Sequence, residues 1–251
     1  MKKLLFLLIP LLLTQTTGWT NPPAKKRGYA AIRFGVGIPS GNFAEKSFTS
    51  PSSGYAQPGP CFDLNVAYKV IKYVGFAAML RTNYYFLAQK SLANDFVKAN
   101  PGYSVKATYP LSFGGMYMAG LYFSVPLDAN ETISLDTRAL GGLGYLFLPH
   151  MTVTGNNYQT GDSFDFDRNS AFTLSPAYLF GAGLRFNFGR FMAVLVNVDY
   201  TGAKFSVHNQ ETTYTSTSLS QGSYTSSDSY LMSYGCINAT VGAAFRFGRE
   251  K

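Results

Sequence analysis

The chain has 251 residues, with 21 Lys and Arg against 13 Asp and Glu, and only 14% of it is charged. That charged fraction lies well below the roughly 25% of ordinary soluble domains, while Phe and Tyr dominate an aromatic share of 16%. The positive balance has no clustered basic face, which sets nucleic acid aside as a partner, and Cys61 and Cys236 are too few for a disulfide framework.

The first residues, MKKLLFLLIPLLLTQTTGWT, read as a secretory signal peptide over 1–20. Lys2 and Lys3 precede an apolar run, Leu4 to Leu13, that is too short to span a bilayer as a helix. No cysteine follows to accept a lipid. Residues 21–28, with Lys25, Lys26 and Arg27, read as a basic linker on the periplasmic side, and the mildly basic exported chain suits anionic lipid or lipopolysaccharide.

From Tyr29 onward the chain alternates with a period of two, the signature of strands. The stretch LFGAGLRFNFGRFMAVLVNVDY, Leu179 to Tyr200, shows it best. Phe180, Ala182, Leu184, Phe186 and Phe188 share one face. Leu179, Gly181, Gly183, Arg185 and Asn187 share the other. After a tight turn at Gly189-Arg190, Val194, Val196 and Val198 alternate with Leu195, Asn197 and Asp199. One face is continuously greasy and the other holds small, polar and charged residues. That is the apolar-out, polar-in pattern of a transmembrane β-barrel.

The expectation is an all-β, eight-stranded, antiparallel up-and-down transmembrane barrel over 29–247, with a periplasmic tail at 248–251. Strands are predicted over Tyr29–Ile38, Cys61–Val70, Val74–Phe86, Leu111–Val125, Ile133–Leu148, Ala171–Phe188, Phe191–Lys204 and Leu231–Phe247. Short periplasmic turns would alternate with four long extracellular loops, Pro39–Pro60, Leu87–Pro110, Pro149–Ser170 and Phe205–Tyr230. The last of these, rich in Ser, Thr and Tyr, reads as a mobile low-complexity loop.

By parity the interior receives Arg33, Asp63, Asn65, Lys69, Arg81, Asn83, Asp136, Arg138, Arg185, Asn187, Asn197, Asp199, Asn238 and Arg246. An eight-stranded interior is just wide enough for side chains to fill, so these groups are expected to pair. A hairpin centred on Lys72 sets Asp63 opposite Arg81. Asp136 is expected near Arg185, with Arg33 and Arg246 at similar depth. Bases outnumber acids six to three in this set, so a conduit lined this way would favour anions; a salt-bridged plug is the preferred reading. The lipid face is assigned to residues such as Phe34, Leu64, Leu143, Val196, Val241 and Phe245; of the tyrosines nearer strand ends, Tyr68, Tyr84, Tyr122, Tyr145, Tyr178 and Tyr200, those with outward parity would suit an interfacial girdle.

The opening RGYAAIRFGVGIPSGNF, the strand ends GLRFNFG and GAAFRFG, and the alternation from Tyr29 to Phe247 resemble the OmpA-like and OmpX-like eight-stranded barrels of Gram-negative outer membranes. The resemblance covers nearly all of the exported chain. It implies an outer-membrane location, assembly by the barrel-assembly machinery through a terminal aromatic signal at Phe245 and Phe247, and lipid and lipopolysaccharide as surroundings. Here Gly248-Arg249-Glu250-Lys251 follows the last Phe, a departure from that terminal signal.

Chemistry-bearing constellations are sparse. Ser206-Val207-His208 places a hydroxyl and an imidazole on one side of an extended chain, with Glu211 near, but a chance pairing in a Ser-rich region is preferred over lipid-A deacylase-like catalysis. Asp162, Asp165 and Asp167 begin like a calcium loop, yet Ser170 stands where Gly should be and Pro176 where Glu should be. Cys61 and Cys236 are expected as buried free thiols on the two strands that flank the first. The resulting reading is a non-catalytic, monomeric outer-membrane barrel with a structural or surface-interaction role, without metal or cofactor. A narrow passive channel is the second reading, and an outer-leaflet lipid-modifying enzyme the third.

Overall fold

In the computed structural model, residues 26–47, 50–217 and 222–249 are described. The expected signal peptide and the start of the basic linker lie outside these residues. The described residues form twelve strands, against eight expected: β1 (Lys26–Ser40), β2 (Ala56–Gln57), β3 (Gly59–Lys69), β4 (Val74–Leu87), β5 (Ser104–Thr108), β6 (Ser112–Pro126), β7 (Ile133–Leu148), β8 (Met151–Asn156), β9 (Ser163–Arg168), β10 (Ala171–Phe188), β11 (Met192–Ser216) and β12 (Ser223–Arg249). One helix, α1 (Gln89–Ala99), and a 3-10 turn at Asn42–Ala44 complete them.

The long strands pair as antiparallel neighbours, β1 with β3, β3 with β4, β4 with β6, β6 with β7, β7 with β10, β10 with β11 and β11 with β12. β12 returns to β1, from Lys26 opposite Arg249 to Ser40 opposite Gly235, so the circuit has no open edge. Closure follows from the chemistry of the wall, because apolar surroundings offer no partner to an unpaired strand edge. Lys26 and Arg27, expected in a linker, are already paired strand residues, and β12 runs on to Arg249.

Alternation sets the two surfaces. Phe34, Leu143, Val196, Val241 and Phe245 are each 47–58% exposed on the outer wall, while Arg33, Gly144, Asn197, Thr240 and Arg246 beside them are buried. Tyr68, Tyr84, Tyr178 and Tyr200 join them on the outside. Tyr122 does not: it faces inward and packs edge-on against Tyr29 at 5.9 Å.

The two ends of the ring differ. At one end the connections are short, 70–73, 127–132 and 189–191. The middle one is pinned by the Asp128 carboxylate, which accepts the Thr132 and Ile133 N–H groups at 3.0 and 2.8 Å. At the other end the segments read as loops carry structure. β5, β8 and β9 are upward continuations of β6, β7 and β10: each pairs in the register of the strand beyond its break, as Arg168 opposite Met151 continues Ala171 opposite Leu148. β11 and β12 stay paired up to Thr215 opposite Ser223, with one register shift between Val207 and Gln210. The Ser/Thr/Tyr-rich stretches 210–215 and 223–228 are therefore paired strand, because β-branched and aromatic residues suit a pleated surface. The result is an asymmetric second storey, a sheet ordered β12-β11-β9-β8-β5 standing above one side of the ring. Helix α1 lies against it through Leu92 and Phe96, spaced one turn apart and buried.

Candidate functional site

The interior of the ring is filled in three tiers. In the upper tier the turn Asn42–Ala44 lowers Phe43 into the mouth, where its ring meets Tyr85 at 5.0 Å and Tyr234 at 5.6 Å. Tyr85 and Tyr234 share a hydroxyl hydrogen bond, and Phe205 packs on Tyr234 at 5.7 Å. A side chain at Gly54 would strike the Phe43 carbonyl, so only glycine lets the chain close over this cork.

The middle tier is ionic. Arg33 donates to Asp63 at 2.5 Å, Arg81 donates to Asp63 at 2.8 Å and to Asp199 at 2.5 Å, and Arg138 donates to Asp199 at 2.6 Å. All five side chains are within 2% of complete burial. Arg33 and Arg81 reach Asp63 as direct cross-strand neighbours. The bond between β4 and Asp199 on β11 instead crosses the lumen, since those strands are not neighbours. Gly181 lies between Arg138 and Asp199 in register. A Cβ there would overlap Asp199 Oδ1, so the glycine clears the path of the ion pair.

The lower tier joins Arg185 to Asp136 at 3.0 Å and to the Ser124 hydroxyl at 2.8 Å, with the guanidinium 5.4 Å above the Tyr29 ring. Arg246 is buried beside it, opposite Tyr29, and donates to the Gly189 carbonyl at 3.5 Å. Arg33, expected at this depth, belongs instead to the middle tier, because its register partner is Asp63. Beside Leu179 and Leu195, which parity places on the polar face, the interior also buries Met79, Met116, Met118 and Leu140. Arg33 Nη2 even donates to the Met79 sulfur at 3.1 Å. Phe245 and Phe247 sit on the same outer face of β12, stacked on Phe191 and Tyr68.

Above the ring, a cavity of about 630 Å³ lies between the second storey and the cap made by α1 and the first long connection. Six rings line it: Tyr55, Phe96, Tyr109, Phe166, Tyr214 and Tyr224. Phe96 stacks on Phe164 at 6.0 Å and meets Phe166 at 5.2 Å, fastening the helix to the sheet. Tyr55 donates to Asp95 at 2.9 Å, tying the first connection to the same helix. Burial, and then the bond to Asp95, raise the Tyr55 hydroxyl above its ordinary pKa. Burial pushes Tyr109 up to about 12, against the pull of Arg168. Arg168 and Asp228 also line the space. The Arg168 guanidinium stands 5.8 Å over the Phe166 ring, and neither it nor Asp228 forms an ion pair among the described residues. Sequence pattern alone places no site here, because every lining segment falls in one of the four stretches expected as loops.

The other sequence candidates are dispersed. Ser206 and His208 are hydrogen-bonded at 2.9 Å and exposed, and the Glu211 carboxylate instead accepts from Asn169 at 3.1 Å. Asp165 and Asp167 lie on strand β9, not in a loop, and Asp167 meets His150 at 2.7 Å. Among the described residues no group of three metal-ligating side chains gathers. Cys61 and Cys236 are buried free thiols flanking β1.

No protein-family model and no curated protein matches the chain. Solved structures do. Ail, the attachment invasion locus protein of Yersinia pestis, is 15% identical over 88% of this chain and 99% of its own, with a TM-score of 0.40. Neisserial surface protein A is 10% identical over 88% and 97%, with a TM-score of 0.40. A major outer membrane protein from Thermus thermophilus is 11% identical over 88% and 99%, with a TM-score of 0.41. The chain is also similar to two Pseudomonas aeruginosa structures, the N-terminal β-barrel domain of OprF at 12% identity and the outer membrane protein OprG at 11%.

Proposed function

We propose that the chain is a non-catalytic, monomeric outer-membrane barrel whose eight-membered ring is a sealed anchor and whose second storey is its working surface. The short turns then face the periplasm and the tall end faces outward among lipopolysaccharide, the expected asymmetry for this class. One observation carries the reading: Asp63 and Asp199 knit Arg33, Arg81 and Arg138 into one buried layer that crosses the lumen. Each carboxylate serves two guanidiniums, so every guanidinium of the layer has a counter-charge and none is left to guide an anion through. Phe245 and Phe247 serve barrel assembly through the terminal strand.

A narrow passive channel is the second reading, and a specific feature favours it. Both polar side-chain atoms of Asn197, and the acceptor oxygens of Asn65 and Asn83, are buried with no protein partner. Buried polar atoms are ordinarily satisfied, so these call for internal water. Single-channel recording on the refolded chain in a planar bilayer separates the two. A sealed anchor gives a silent bilayer with protein that migrates as a folded barrel on unboiled gels. Discrete anion-favouring steps would overturn the seal and assign the path to the water beside Asn197.

A further inference from the structure

We propose that the cavity beneath α1 binds a small ring-bearing oxyanion, a cyclic body carrying one carboxylate or phosphate group. The inference deepens the working-surface reading by naming the chemical class of its ligand. The volume, about 630 Å³, falls within the range of small-molecule sites. The rings of Phe166, Tyr214 and Tyr224 offer flat apolar faces on a hydrogen-bonded sheet, so the surface is organised before the ligand arrives. Arg168 supplies the charge. Its planar fork is oriented over Phe166, and no carboxylate of the described residues neutralises it. A guanidinium held this way matches a carboxylate or phosphate with two parallel hydrogen bonds. The Ser226 hydroxyl in the wall can take a polar substituent of the ring.

Asp228 in the same cavity sets the limit on charge. Like-charge contact is a common device for rejecting wrong partners. A polyanion would bring a second negative group toward Asp228, whereas a single oxyanion on Arg168 leaves it free to accept from a hydroxyl. Every element of the site belongs to the second storey or its cap, so binding does not depend on what the lumen does.

The test is a titration of the refolded full chain, followed by nuclear magnetic resonance, with phenyl phosphate and glucuronate as probes. Phenol and glucose serve as the neutral rings and inorganic phosphate as the ringless anion. Saturable binding of phenyl phosphate or glucuronate is expected, at least tenfold tighter than its neutral counterpart and than inorganic phosphate. Which of the two probes binds tells an aromatic phosphate from an acidic sugar. Arg168→Gln should weaken the preferred probe at least tenfold, and Arg168→Lys, which keeps charge but loses the fork, should fall between. Both variants should still migrate as folded barrels on unboiled gels. Asp228→Asn should preserve binding of the single oxyanion and raise affinity for an analogue carrying a second anionic group on the ring. The proposal is overturned if neither ring oxyanion saturates the folded protein, if Arg168→Gln binds like the parent, or if inorganic phosphate competes equally. A conducting barrel that still binds phenyl phosphate would overturn the seal and leave this site intact.

Discussion

Asp199 accepts from Arg81 across the lumen and from Arg138 across Gly181. Removing it leaves two buried guanidiniums short of their counter-charge, and breaking a buried ion pair in this way costs about 3–5 kcal/mol. Asp199→Ala should lower the urea midpoint of the folded gel band in lipid vesicles, and Gly181→Ala should lower it by displacing the same carboxylate. Asp63→Ala should behave like Asp199→Ala, because it too serves two arginines. At this scale the sequence is informative about side throughout and about partner only between neighbouring strands, as for Asp63–Arg81 and Asp136–Arg185. Period-two parity put all fourteen polar residues inside, and each is buried. The Asp63–Arg81 pair was legible because a short hairpin fixes its register. The Arg81–Asp199 bond was not, because it depends on closure and shear of the whole ring, which no local pattern encodes.

Among elements, the lower strands were read within a few residues and the upper ones were missed. β7 and β10 begin and end where alternation starts and stops. The Thr- and Tyr-rich upper halves of β11 and β12 looked like loop because low complexity masked a real alternation. Thr213 faces Thr225 and Thr215 faces Ser223 on one side, while Tyr214 faces Tyr224 on the other. The apolar outer face yields a further expectation. Val196, 47% exposed on the outer wall near the middle of the β10–β11 hairpin, should not tolerate a charge. Val196→Arg at mid-depth should cost about 2–4 kcal/mol, read as loss of the heat-stable band on unboiled gels. The cap is separable from the barrel. Phe96→Ala removes the ring that fastens α1 to Phe164 and Phe166, a change of the kind that costs about 3–5 kcal/mol in a packed core. Tryptic cleavage at Lys90 and Lys98 should become fast while the barrel band stays.

For the molecule as a whole, the two storeys should respond differently to pH. Tyr109 and Tyr55 are buried under the cap with hydroxyls raised above their ordinary value, Tyr109 to about 12. A raised pKa means the folded cap holds these protons more tightly than the unfolded chain does. Their contribution is complete below the unfolded value of about 10 and is lost as pH rises through the folded one. Tyrosinate absorbance should therefore show a late-titrating class, and the cap should loosen between about pH 10 and 12 while the barrel band persists.

The breaks in the tall wall fall in one row. Residues 149–150 face 169–170 between β7/β8 and β9/β10, and 109–111 separates β5 from β6 beside them. The register shift of β11 between Val207 and Gln210 lies at the same height. The wall is thus scored along a line, with β11 and β12 as its continuous straps. A load on the outer end, from a ligand or a neighbouring surface, should be taken up by tilt about that line. The ionic layer beneath would be spared the deformation, and amide exchange should be fastest along the score.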